Sequence, residues 1–133
     1  MALAQTTEDA ILAWLLGTTF PAPPAETWLS LHSDESVGLA TQISSWSGGD
    51  RVRLTNADFG AVSSTGDGGR ARVNIRALAF GSHTSDQTVR AFGLWDAASG
   101  GNLLLVGGIV PDVTIRAGDP PIFLTGDFEL KAL

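Results

Sequence analysis

The pattern of apolar and polar positions is clearest in residues 89–106, where two apolar runs flank a polar turn. Residues 89–95 are rich in β-branched and aromatic side chains without a helical period, and residues 103–106 are apolar on both faces. The intervening residues 96–102 include two adjacent glycines, which can adopt the positive φ angles of a tight turn. The pattern predicts a β-hairpin at the centre of an all-β core.

Alternating or short apolar runs elsewhere predict further strands. They fall at residues 27–32, 51–55, 70–77, 113–115 and 122–124. In the run at 70–77 we expect Ala71, Val73, Ile75 and Ala77 to point inward and Arg70, Arg72, Asn74 and Arg76 to point outward. About seven or eight short strands with turns between them indicate an antiparallel, jelly-roll-like β-sandwich.

The N-terminal segment predicts one short helix. Thr6 or Thr7 can cap its start, the apolar residues 11–16 follow, and Gly17 suits its end. Residues 20–25 then form a stiff, Pro-rich link. We expect a single domain over residues 1–133, with the helix and Pro-rich arm in 1–25 and the β-sandwich in 26–133. So short a helix needs a packing partner, either its own domain or another subunit.

Composition and charge narrow the classes of partner. The 133 residues are 44% hydrophobic and 17% charged, which suffices for one core. A net charge of −6 argues against nucleic acid, and no apolar run is long enough to span a membrane, so neither is expected as a partner. The chain has no cysteine, which excludes disulfides and thiolate chemistry.

Residue patterns for catalysis or metal binding are missing from the sequence. His32 and His83 lie far apart without a metal-ligand spacing, and we expect both at a surface or an interface. There is no GxSxG motif, and no GK[ST] follows the glycines of residues 66–69. We therefore expect no catalytic residue, no metal, no cofactor and no enzyme activity. Calcium at the Gly-rich turns of Asp67 and Asp119 stays an open question.

Four tryptophans and no tyrosine raise the question of sugar stacking. We expect Trp14 to pack the helix and Trp95 to fill the core. For Trp28 and Trp46 the sequence leaves both core packing and exposed stacking on a glycan open.

Arginine supplies seven of the eight basic residues. Five lie in the middle third of the chain, and on paired strands they would form a basic stripe: Arg51, Arg53, Arg70, Arg72 and Arg76. Arginine pairs bidentately with carboxylates and desolvates more easily than lysine. The stripe is therefore either a docking face for an acidic protein surface or a solvated sheet face.

Three segments resemble a known family. The first, residues 9–35, contains Trp14, Leu16, Gly17 and Thr18, followed by the strand Thr27-Trp28-Leu29-Ser30-Leu31. The second, residues 92–104, has the sequence FGLWDAASGGNLL. The third, residues 113–119, contains Val-Thr-Ile and then Ala-Gly-Asp. In this order they resemble small tailed-bacteriophage virion proteins, which are described as tail-fibre-like or as capsid decoration (cement) proteins. The resemblance implies a virion structural protein that forms a homotrimer.

Of the two roles, the lack of a shaft-forming repeat favours capsid decoration. We expect a trimer on the capsid surface of the virion, made in the cytoplasm of the bacterial host, that stabilises the shell by binding the major capsid protein. The alternative is a tail-fibre or tail-tip module, with host-glycan binding as one version of it. Expected contacts are the arginine stripe, the N-terminal Leu12, Trp14, Leu15 and Phe20, and a trimer seam at Phe92 and Leu94.

Overall fold

The computed structural model describes residues 2–132, which form antiparallel β-sheets and one α-helix. The elements are β1 (Ala2–Leu3), α1 (Gln5–Leu15), β2 (Thr27–His32), β3 (Val52–Leu54), β4 (Ser63–Ser64), β5 (Arg70–Val73), β6 (Leu78–Ala79), β7 (Gln87–Trp95), β8 (Leu103–Ile115), β9 (Ile122–Phe123) and β10 (Glu129–Ala132). Two 3₁₀ turns lie at Leu39–Thr41 and Asn56–Asp58. The predicted small all-β sandwich with a short N-terminal helix is confirmed.

The main sheet has five strands in the order β1-β8-β7-β2-β3, all antiparallel. The predicted hairpin forms its centre as β7 and β8. β8 is longer than predicted, because it continues to Ile115 and includes the run that we had assigned to a separate strand. Leu29 pairs with Leu94 and Leu31 with Phe92, so these four side chains share one face of the sheet.

That face forms the core. The two-stranded sheet β6-β9 contributes Leu78 and Phe123 to the same hydrophobic cluster, and Leu130 of the three-stranded sheet β10-β5-β4 packs against it. The ring of Phe128 lies 4.9 Å from that of Phe92, in an edge-to-face arrangement. Phe92 and Leu94 are only 7% and 5% exposed. The predicted trimer seam at these two residues is therefore wrong, because both side chains already fill the core of their own chain.

The opposite face of the main sheet is covered by the loop of residues 33–51. Val37 approaches Gly93, where an added Cβ would lie 3.0 Å from its methyl group. Thr41 contacts His32, and the Arg51 side chain lies over Trp95. The sheet is thus covered on both faces, which explains why Ser30 and His32 are as inaccessible as the leucines between them.

The helix α1 packs against the start of β8. It follows Ala4 without a side-chain cap, so neither predicted threonine caps it. Thr7 instead donates its hydroxyl to the Leu104 carbonyl at 2.9 Å, and the Ala4 amide donates to the same oxygen. Gly17 follows the helix with a φ of +96°, as a helix-ending glycine does. Within residues 2–132, no helix has the length and apolar character needed to cross a membrane.

Candidate functional site

The N-terminal segment exposes large apolar side chains that its own chain does not bury. None of the eleven residues of α1 is buried. We call residues 12–20 the apolar arm. Its exposed large side chains, with their exposed fractions, are Leu12 (60%), Trp14 (54%), Leu15 (65%), Leu16 (90%) and Phe20 (47%). The Trp14 and Phe20 rings meet edge to face at 5.9 Å, so the exposed side chains include an organised aromatic pair.

The apolar area of this surface is large for a soluble protein. Five large side chains at these exposures present on the order of 600 Å² of apolar area, at the upper limit for a soluble monomer. The first 50 residues contain six acidic residues and no lysine or arginine. Glu8 is the acidic residue of the first helical turn, where the helix dipole favours it. The arm is thus suited to bind an apolar protein surface, and four of its residues are ones predicted from the sequence.

Arg51 does not belong to an exposed stripe. It is only 4% exposed, and its guanidinium carbon lies 4.1 Å from the centroid of the Trp95 ring. Burial lowers the pKa of Arg51, and the carboxylates of Asp50 and Asp96 oppose that effect. The prediction that Arg51 contacts a partner is therefore wrong, because all of its donor groups are directed at its own chain.

The other predicted arginines divide into two groups. Arg72 is half-buried, and its Nε donates to the Gly60 carbonyl at 2.7 Å while a second nitrogen donates to Asn56. Arg53, Arg70 and Arg76 are exposed. Arg53 lies 3.6 Å from Glu26, and Arg76 lies 4.0 Å from Asp58. The structure therefore leaves three exposed arginines of the predicted five, and their role in docking stays a prediction.

The alternation predicted for residues 70–77 fails after Val73, where β5 ends. Asn74 is 1% exposed instead of pointing outward, whereas Ile75 is 55% exposed and Ala77 also faces outward. Asn74 turns inward because its amide group joins several backbone segments. Its Nδ2 donates to the carbonyls of Arg76 and Leu124, and its Oδ1 accepts from the amides of Gly126 and Phe128.

A buried polar network lies between the main sheet and its covering loop. Ser30 and His32 are fully buried, and the Ser30 Oγ lies 2.6 Å from the His32 Nε2. Thr41 donates its hydroxyl to the Ser36 carbonyl, so it accepts from the Nδ1–H of His32 at 3.0 Å. The Ser30 hydroxyl then donates to Nε2 and accepts from the Trp95 indole at 2.7 Å. This assigns a proton to Nδ1, and the ring is neutral because burial lowers the pKa of His32.

The network is structural in character. Burial lowers the pKa of His32 to about 4, and the Arg51 cation adds to this effect. A serine hydroxyl beside a histidine resembles half of a catalytic triad, but a substrate cannot reach two residues with no accessible surface. Our expectation that His32 lies at a surface or an interface is therefore wrong.

The two tryptophans that the sequence left open for glycan binding differ in their burial. Trp46 is 3% exposed, donates to the Ile43 carbonyl and packs 5.9 Å from the Phe80 ring. Sugar stacking on Trp46 is thus ruled out in this conformation. Trp28 is half-buried and donates to Glu26 at 3.1 Å. Trp95 lies in the interior, as predicted, at 4% exposure.

Metal ligands do not converge in the part of the chain that the structure describes. Residues 2–132 contain no group of three or more histidine, aspartate or glutamate residues that could hold an ion. At the turn considered for calcium, Asp67 already accepts hydrogen bonds from Lys131 and Thr65, which hold the pKa of its carboxyl well below the usual range.

Comparison with known families identifies the family of the chain. The family model described as "Podophage GP4 fiber I protein gp80" matches residues 2–131, which is nearly the whole described chain. The chain belongs to this family. It is a phage structural protein of the tail-fibre-like kind, as the sequence resemblance indicated, and a component of the virion. No curated protein matches the chain.

The residues that sequence reasoning missed are Leu16, Asn74 and the Ser30–His32 pair. Leu16 lies beside residues that we had selected, and its 90% exposure follows from the end of the helix at Leu15. Asn74 gave no signal, because an asparagine in an alternating strand predicts an outward side chain. The polar residues of β2 alternate with apolar ones, as in a strand with one solvent-exposed face. The loop that covers this face has no periodicity of its own, so the sequence pattern did not predict it.

Proposed function

We propose that this chain is a small fibre subunit of a podophage-type virion, joined to its neighbours through the apolar arm. The observation that carries the proposal is the exposure of five large apolar side chains in a protein whose family is described as a phage fibre protein. Burying such a surface stabilises an assembly by roughly 25 cal/mol for each Å² removed from water, less the entropy cost of association. A homotrimer, as the resemblance implied, is the assembly that we propose.

Capsid decoration is the second candidate. It is favoured by the absence from residues 1–133 of a heptad or collagen-like repeat of the kind that builds a shaft. In that role the same arm would lie on the major capsid protein, and multivalent attachment would reinforce the shell. The family description names a fibre and therefore favours the first candidate.

Copy number in the virion separates the two roles. Quantitative mass spectrometry of purified particles should find a few to a few tens of copies of a fibre subunit. Hundreds of copies, in a fixed ratio to the major capsid protein, would contradict the fibre proposal and support decoration. Particles depleted of the chain would then be expected to release their DNA at a lower temperature than intact particles.

A variant of the arm tests its part in attachment. Leu15→Glu places a charge in the exposed patch, and we expect at least a tenfold loss of incorporation into particles. Leu39→Glu is the matched control, because Leu39 is 63% exposed and lies outside the arm, against 65% for Leu15. Equal incorporation of both variants would show that the arm is not the attachment surface.

Of the two tryptophans that the sequence left open, only Trp28 is accessible enough to bind a glycan, because Trp46 is buried. Its indole is half-buried and hydrogen-bonded to Glu26, which leaves only part of a ring face accessible. Host polysaccharide binding that is lost in Trp28→Ala and kept in Leu39→Glu would support that version of the fibre role.

A further inference from the structure

An apolar groove lies beside the C-terminal half of β8. Its cavity has a volume of about 140 Å³. It is lined only by apolar side chains: Leu31, Val89, Ile109, Val113, Ile115, Pro121, Ile122 and Phe123. Val113 and Ile122 are 42% and 48% exposed, so the groove opens to solvent. An apolar cavity of roughly 150 Å³ holds a benzene ring, so this groove has room for one leucine or phenylalanine side chain.

The groove and the anchor of the apolar arm lie at opposite ends of β8. The arm is anchored where Ala4 and Thr7 bind the Leu104 carbonyl, and the chain returns from it to β2, whose Trp28 pairs with Trp95 at the same end. The groove lies where β8 ends at Ile115. Nine residues separate Leu104 from Val113, or about 30 Å along a strand. The arm is not part of the lining of its own groove.

The two surfaces complement each other in chemistry. One is a protruding set of leucine and aromatic side chains, and the other is a concave site without a charged lining residue. We propose that the apolar arm of one copy binds in the groove of a second copy, with Leu16 as the inserted side chain. Leu16 is the most exposed side chain of the arm, at 90%, and directly follows the last helical residue.

The area and the charges are consistent with a second copy as the occupant. The arm's surface, on the order of 600 Å², approaches the roughly 800 Å² that each partner contributes to a stable interface. Arg90 and Arg116 lie near the groove, but Asp112 pairs with Arg90 at 3.1 Å and Asp119 lies on the turn that follows. Charge attraction to the arm's acidic first turn is therefore small, and we expect an association that depends weakly on salt.

A contact between two different surfaces is head-to-tail. Repetition of such a contact closes into a ring or continues as an open row, depending on the rotation between neighbours. Either result extends a single small domain into a larger structure without a shaft repeat. The inference rests on the proposed function and deepens it, because it names the surface of the neighbouring copy to which the arm binds.

Sedimentation velocity of three purified variants tests the contact. The wild type should associate with rising concentration, whereas Leu16→Glu in the arm and Ile122→Glu in the groove should each weaken association at least tenfold. Both sites are exposed in the monomer, so circular dichroism and the unfolding midpoint should stay those of the wild type. Leu39→Glu, at an exposed leucine outside both surfaces, should associate as the wild type does.

Mixing the two monomeric variants gives the decisive result. Leu16→Glu retains an intact groove and Ile122→Glu an intact arm, so an equimolar mixture should form a 1:1 heterodimer and nothing larger. If the mixture stays monomeric, or if Ile122→Glu associates like the wild type through an arm-to-arm contact, the proposal is overturned. A wild type that remains monomeric at about 100 μM has a dissociation constant above that concentration, and this result overturns the proposal as well. The copy number in the virion tests the fibre role, and the mixing experiment tests the contact between arm and groove, so the contact can fail while the fibre role holds.

Discussion

The guanidinium of Arg51 stacks on the indole of Trp95, with its central carbon 4.1 Å from the ring centroid. Its Nε and one terminal nitrogen donate to the Gln42 side-chain oxygen at 3.0 and 2.9 Å. The other terminal nitrogen donates to the carbonyls of Ala97 and Gly100 at 2.7 and 2.9 Å. One buried cation therefore joins the covering loop, the main sheet and the turn of the central hairpin.

Replacement of Arg51 should destabilise the chain strongly. Arg51→Ala leaves the two turn carbonyls and the Gln42 oxygen without their donors and removes the stack on Trp95, so we expect a loss of about 3 kcal/mol of unfolding free energy. Arg51→Lys should lose nearly as much, because an ammonium cannot reproduce the planar fork. Urea denaturation measures both.

Arg53→Ala is the control for this prediction. Its exposed guanidinium faces Glu26 at 3.6 Å across solvent, and such pairs contribute little, so the change should be below about 0.5 kcal/mol. Comparable losses at both positions would mean that Arg51 is not the residue that joins the loop to the hairpin.

Asn74 is a second buried connection. Asn74→Ala removes a side chain that pairs with four backbone groups, and we expect a loss of about 3 kcal/mol, measured by chemical denaturation. Asn56→Ala serves as the comparison, because Asn56 is exposed and accepts a hydrogen bond from Arg72. A loss at Asn74 no larger than that at Asn56 would contradict the structural role.

These two residues show where sequence reasoning succeeded and where it failed. The apolar pattern located the central hairpin, whose strands are nearly continuous in apolar residues, and β2, whose two leucines alternate with polar residues. Arg51 and Asn74 were predicted to be exposed, since a polar residue in an alternating strand is usually outward. Their burial depends on acceptors supplied by residues 42, 97 and 124, which are distant in sequence and leave no local pattern. The arm was predicted correctly as an apolar segment, but its exposure depended on packing that the sequence did not reveal.

The close approach of two loops at Gly81 gives a third prediction. A Cβ at Gly81 would lie 2.2 Å from the Gly48 amide nitrogen and 2.9 Å from the Ser47 carbonyl carbon, both of which are backbone atoms. Gly81→Ala should therefore cost about 2 kcal/mol, because a backbone segment must move to admit the methyl group. At Gly66 an added Cβ meets nothing within 4 Å, so Gly66→Ala should leave the thermal unfolding midpoint nearly unchanged or raise it. Equal midpoints for the two variants would refute the close contact.

Acid should destabilise the chain through His32. The pKa is about 4 in the folded chain and 6.5 when unfolded, so between these values the unfolded state binds the extra proton. The contribution of His32 to the free energy of unfolding is therefore fully present above pH 6.5. It is lost as the pH drops towards 4, and the loss is on the order of 3 kcal/mol. The urea midpoint of the wild type should thus be lower at pH 5.0 than at pH 7.5. The corresponding difference should be smaller for His32→Gln. A His32→Gln variant whose midpoints differ between the two pH values as much as those of the wild type would contradict the buried neutral ring.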